Sequence, residues 1–103
     1  ILFERFLENY PDSPLSASVI IAKGNAYEGI GEIKKAARAY LNGFSLYEDS
    51  PVAPEALTLL GNSLVSLGQT DAGCQTLAQV LMRFPESDFS LEAEKMMSEL
   101  QCP

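Results

Sequence analysis

The 103 residues are 47% hydrophobic and 20% charged, enough to build one packed domain and too few for two independent ones. Fourteen carboxylates against seven cations leave a formal net charge of −7, which speaks against binding a phosphate backbone and so against a nucleic-acid partner. With no histidine and only two cysteines, no His-based triad, Cys–His pair or ordinary zinc set can be assembled, so neither catalysis nor a metal or other cofactor is expected. No apolar run approaches the roughly 20 residues of a membrane span, so direct membrane insertion is not expected either.

In chain order, the first element is an amphipathic stretch from Leu2 to Tyr10. It begins abruptly at Ile1, and the chain reads as a piece of something longer, with any targeting segment upstream. The stretch closes in "YPDSP" (Tyr10 to Pro14). There Pro11 ends one helix, Asp12 or Ser13 can cap the next, and Pro14 presets its first turn. Ser16 to Ile30 follows and stops at Gly31, where glycine can reverse the chain in a left-handed conformation at no steric cost. From Glu32 to Tyr47 the residues Ile33, Ala36, Ala37, Tyr40, Phe44 and Tyr47 step by three and four, the mark of one buried helix face. "YEDSP" (Tyr47 to Pro51) then repeats the turn, with Ser50-Pro51 repeating the cap. Val52 to Leu67 carries Leu57, Leu60, Gly61, Leu64 and Leu67 at the same spacing and stops at Gly68, and Thr70 to Phe84 runs into a third turn, "FPESD". A last helix is expected from Leu91 to Gln101, with Leu91, Met96, Met97 and Leu100 inward and Glu92, Lys95 and Glu99 outward.

The three turns recur every 37 residues. The same shift superimposes Gly24-Asn25 on Gly61-Asn62, Gly31 on Gly68, and the apolar sets Phe3/Tyr40/Leu77 and Leu7/Phe44/Leu81. No alternation of period two calls for strands, so the expected fold class is all-α, about six antiparallel helices in a helical repeat. The apolar–Gly–aromatic–Gly–Ala–aromatic order at Ile20, Gly24, Tyr27, Gly31, Ala36 and Tyr40 resembles the tetratricopeptide repeat. So does its second copy at Leu57, Gly61, Leu64, Gly68, Gly73 and Leu77, although the turns are longer and the usual Trp is missing. The resemblance implies a right-handed superhelix divided into a partial repeat (1–14), two repeats (15–51 and 52–88) and a capping helix (89–103). Phe3, Tyr40, Tyr47 and Phe84 then read as core, while Phe3, Phe6 and Leu7 would leave apolar surface where a preceding helix is missing.

A narrower resemblance covers essentially the whole chain and is strongest from Lys35 to Pro85, in "AARAYL" and "LGQTDAGCQTL". It is to the C-terminal domain of the Tol–Pal-associated periplasmic cell-division coordinator of Gram-negative bacteria. It implies a periplasmic adaptor for the Tol–Pal system that couples septal peptidoglycan synthesis to outer-membrane constriction, and a parent protein that trimerises through an upstream coiled coil. Two other readings stay open: another envelope adaptor such as an outer-membrane assembly lipoprotein, or an accessory domain of a larger enzyme.

In such a stack the first helix of each pair lines the concave surface. The side chains expected there are Ser18, Ile21, Asn25 and Glu28, then their equivalents Glu55, Thr58, Asn62 and Val65. Asn25 and Asn62 either clamp the backbone of a bound peptide, having both donor and acceptor, or merely satisfy neighbouring helix ends. Lysine is absent one turn earlier (Ile21, Thr58), so a clamp for a C-terminal carboxylate is not supported. Finally, Cys74 and Cys102 fall symmetrically about position 88, in the turn joining two neighbouring antiparallel helices. That symmetry brings them level, and the oxidising periplasm implied by the resemblance would let them form a disulfide; the alternative is two free thiols.

Overall fold

The computed structural model describes residues 15–103. Among them are five α-helices and no strand: α1 (Ser16–Gly29), α2 (Ile33–Leu46), α3 (Ala53–Ser66), α4 (Thr70–Arg83) and α5 (Asp88–Glu99). The sixth expected helix, with the Asp12, Ser13 and Pro14 cap and the Phe3, Phe6 and Leu7 surface, lies outside the described residues. Each helix packs on the next in the chain, and α3 also reaches α5. The result is an all-helical array in which first and second helices alternate.

The 37-residue period is written into the backbone. Gly31 and Gly68 take φ of 80° and 84°. The residues that follow, Glu32 and Gln69, adopt (−87°, 67°) and (−93°, 63°), and the helix ends Tyr47 and Phe84 adopt (−135°, 53°) and (−131°, 54°). Hydrogen bonds repeat as well: Glu32 N–H donates to the Tyr27 carbonyl and Gln69 N–H to that of Leu64, both at 2.9 Å. This 6→1 bond around a left-handed residue is the Schellman way of satisfying the last carbonyls of a helix, and it is why both positions carry glycine.

The core runs between the helices rather than at one centre. Tyr40, Ala36, Ala56, Leu77, Val80 and Ala93 are all fully buried. Small residues let the helices come close. A Cβ on Gly61 would lie 2.8 Å from the Leu77 side chain, one on Gly73 would lie 2.5 Å from Val65, and one on Gly24 would lie 2.5 Å from the Tyr40 ring. The repeated turns also join neighbouring units. Phe44 and Phe84 meet edge to face at 6.3 Å between ring centres, the Arg83 guanidinium lies 4.9 Å from the Phe44 ring centre, and it pairs with Glu48 at 2.6 Å. The ion pair is at the surface, so it orients the turn more than it stabilises it, whereas Phe44 belongs to the core.

Three local expectations need correction. Helix α3 begins at Ala53, with Pro54 rather than Pro51 in its first turn. Ser50 is not its N-cap: its Oγ accepts instead from the Val52 N–H at 3.2 Å, closing the turn before the helix starts. The last helix begins at Asp88, three residues earlier than expected, because Ser87 caps it by accepting from the Phe89 N–H at 3.1 Å. The inward stripe is therefore Phe89, Ala93, Met96, Met97 and Leu100, and Leu91 falls on the opposite side, 72% exposed. Glu92, Lys95 and Glu99 do face solvent.

Candidate functional site

The eight side chains expected on the first helices are four pairs related by the period, and the structure sorts them. Ser18 is exposed and its counterpart Glu55 half-buried. Ile21 and Thr58 are not available to a partner, contrary to expectation. Ile21 is 4% exposed within the core cluster, and Thr58 is 1% exposed with its hydroxyl donating to the Pro54 carbonyl at 2.8 Å. That internal hydrogen bond is what allows a threonine to be buried there. The stripe Ala17, Ile20, Ile21, Gly24 already held the warning, because Ile21 completes it at helical spacing.

The two asparagines, equivalent by sequence, have different surroundings. Asn25 is occupied. The Tyr40 hydroxyl, reaching across from α2, is 2.7 Å from Asn25 Oδ1 and 2.8 Å from Glu28 Oε2, and its one proton goes to one of these acceptors at a time. Burial and then the Glu28 carboxylate push the Tyr40 hydroxyl well above the ordinary tyrosine range, with Glu55 adding to the effect. In the next unit the equivalents of Tyr40 and Glu28 are Leu77 and Val65, so no hydroxyl is offered. Asn62 Oδ1 is shut off from solvent and meets no donor among the described residues. Tyr40 was read from the sequence only as core, and its second role, saturating Asn25, carried no signal in the helical periodicity.

The Tyr40 network makes a testable pH dependence. A hydroxyl whose pKa is raised on folding stabilises the native state fully below its unfolded value, near 10, and that contribution is lost as the pH climbs toward the folded value. Alkaline titration followed by tyrosine absorbance should find one late-titrating tyrosine that vanishes in Tyr40→Phe. The wild-type stability should also fall more steeply above about pH 10 than that of the variant.

Asn62 looks into a groove of about 480 Å³ between α3 and α5, lined by Asn62, Val65, Ser66, Met96, Glu99 and Leu100. Ser66, Met96, Glu99 and Leu100 were not among the expected binding residues. The period would have found one of them, since 37 residues beyond Asn62 is Glu99, the third copy of the same position. Val65 lines this groove but also covers Gly73, so it belongs to the α3–α4 seam as much as to the site. The arrangement offers a buried acceptor, an apolar wall and a carboxylate at the rim. Its described lining residues include no nucleophile–base pair.

The C-terminal side of the groove is fixed from behind. Cys74 in α4 and Cys102 just past α5 lie at disulfide distance, with Cα atoms 5.7 Å apart. No helix among the described residues is long and apolar enough to cross a membrane.

The matched family model covers α3, α4 and the turn after them. Residues 55–87 form a tetratricopeptide repeat. Repeats of this kind are typically non-catalytic modules that bind proteins or peptides. No similar protein was found among curated ones.

Proposed function

We propose that this chain is a protein-interaction adaptor whose partner lies in the groove between α3 and α5. One observation carries the reading: Asn62 Oδ1 is buried without a donor. An unsatisfied buried acceptor costs about 1–3 kcal/mol, and a turn of the Asn62 side chain toward the groove would let an incoming N–H recover it. Its counterpart Asn25 lies instead against the Tyr40 hydroxyl, a partner that neither alternative named, and is assigned a structural role. Ser18, Glu28 and Glu55 are not in the described lining of the groove. The units assigned are 15–51 and 52–88, with 1–14 a partial unit and 89–103 the cap.

The adaptor is proposed to be periplasmic and to serve the Tol–Pal system, coordinating septal peptidoglycan synthesis with outer-membrane constriction during cell division. Support for this is the sequence resemblance from Lys35 to Pro85, together with a cysteine pair at disulfide distance, which suits an oxidising compartment. The parent protein is proposed to trimerise through an upstream coiled coil.

The test is direct binding of the purified chain to purified soluble Tol–Pal domains and septal synthesis proteins, by calorimetry. Asn62→Ala with Ser66→Trp, which removes the acceptor and fills the groove at an exposed position, should weaken binding at least tenfold with little change in melting temperature. Equal binding by the double variant would move the site elsewhere. Binding to none of these proteins would end the division reading.

A further inference from the structure

We propose that the α3–α5 groove selects an extended segment that pairs an apolar side chain with a lysine or arginine a residue or two away; this rests on the adaptor reading above. Three features of the lining each ask for one feature of the occupant. The Asn62 amide lines the groove and its Oδ1 lacks a donor; turned toward the groove, it asks for an N–H, which the backbone of an extended segment supplies whatever its sequence. Val65, Met96 and Leu100 form the apolar wall and ask for an apolar side chain; methionine adapts its shape to several such partners.

Glu99 is the only charged residue among the described lining residues, and it is exposed at the end of α5. A single exposed ion pair adds little affinity. It does, however, discriminate, because an acidic segment placed against Glu99 would be repelled, and the surroundings reinforce the sign. Asp88, Glu92 and Glu94 share α5 with Glu99 against the single cation Lys95, and the whole chain carries −7. A field of that sign raises the encounter rate of cationic segments and lowers that of acidic ones, in a salt-dependent way. It also disfavours a second copy of this chain as the occupant, since that copy brings another −7.

The experiment is selection of random dodecapeptides displayed on phage against the 103-residue chain with its cysteines paired, followed by affinity measurement of the recovered peptides. The recovered set should be enriched in Lys or Arg near Leu, Ile, Met or Phe. A synthetic representative should bind at least tenfold more weakly to Glu99→Lys, weaken several-fold to Glu99→Gln, and lose affinity as salt is raised. Circular dichroism and melting of both variants establish that α5 remains folded.

Recovered peptides that are acidic or uncharged, or that bind Glu99→Lys as well as wild type, overturn the basic-segment assignment while the groove itself stands. Peptides that bind the Asn62→Ala/Ser66→Trp variant unchanged overturn the groove and the adaptor site together, as does recovery of no peptide. Sedimentation showing a dimer that Ser66→Trp dissociates would replace the basic segment with a second copy of this chain.

Discussion

Leu77→Ala should destabilise the protein by about 2–5 kcal/mol, and adding Gly61→Ala should restore part of that loss rather than deepen it. Leu77 is fully buried, so its truncation removes both transfer energy and contacts, and the void cannot be filled by solvent. The closeness of α3 and α4 decides the second half. On the wild-type background a Cβ at Gly61 would stand 2.8 Å from Leu77 Cδ2 and 2.9 Å from Cγ, too near for either atom to remain in place. Gly61→Ala alone should therefore cost about 1–3 kcal/mol through overpacking. Once Leu77 is alanine, both clashing atoms are gone. The new methyl then enters the void, and alanine also suits a helix interior better than glycine by about 0.5–1 kcal/mol. The sign of the Gly61 substitution should thus invert between backgrounds, as read by urea unfolding. If Gly61→Ala lowers stability equally in both, the fit between Gly61 and Leu77 is not what sets the spacing of the two helices. Gly24 and Tyr40 repeat the relationship one unit earlier, with an aromatic ring in place of the leucine.

Such pairs explain how much of the fold could be read from the sequence. A period of 37 residues fixes which positions are equivalent, and equivalence was enough to place the helices, the left-handed glycines and the turn. It does not say how far each helix is rotated about its axis. The same small misreading of rotation put Ile21 and Thr58 on the open face, and because the two are equivalent the error appeared twice. Helix starts were misplaced for another reason. Ser50 and Ser87 occupy equivalent turns, yet only Ser87 caps a helix, because Pro54 shifts the start of α3 while Asp88 lets α5 begin at once. The candidate site was legible where it follows the period and hidden where it breaks it. Asn62 was named from sequence, but what distinguishes it from Asn25 is the exchange of Tyr40 for Leu77. That exchange looks conservative in a list of core residues. Its consequence is the loss of one hydroxyl, visible only when the partner across the helix pair is known.

Removing the bridge between Cys74 and Cys102 should loosen the end of α5 and take the groove with it. The two cysteines are 28 positions apart, and cross-linking a loop of that size is worth roughly 3.5 kcal/mol in the chain-entropy model. The packing of this helix is lighter than that of its neighbours: Phe89, Met96, Met97 and Leu100 are half-buried against the core, and only Ser90 and Ala93 of α5 are buried, against eight residues of α3. Local sequence does not favour the reversal that brings Cys102 back. Gln101 sits at φ 56°, the one non-glycine residue with positive φ among those described, a conformation that costs about 1–2 kcal/mol without glycine. The hydrogen bond from Cys102 N–H to the Met97 carbonyl, at 2.9 Å, offsets part of that. Cys102→Ser is the cleaner variant, since Cys74 is 6% exposed and a serine there would bury a hydroxyl. Cys102→Ser, or the reduced wild type, should be about 2–4 kcal/mol less stable. Amide exchange should quicken in the last turn of α5 and through Cys102, with α2 and α3 remaining protected. Because Met96, Glu99 and Leu100 form one wall of the groove, affinity for a groove-bound peptide should fall in parallel with protection of that turn. Two alkylatable thiols in the untreated native protein, or a reduced form that melts and exchanges as the oxidised form does, would show that α5 is held by its packing alone.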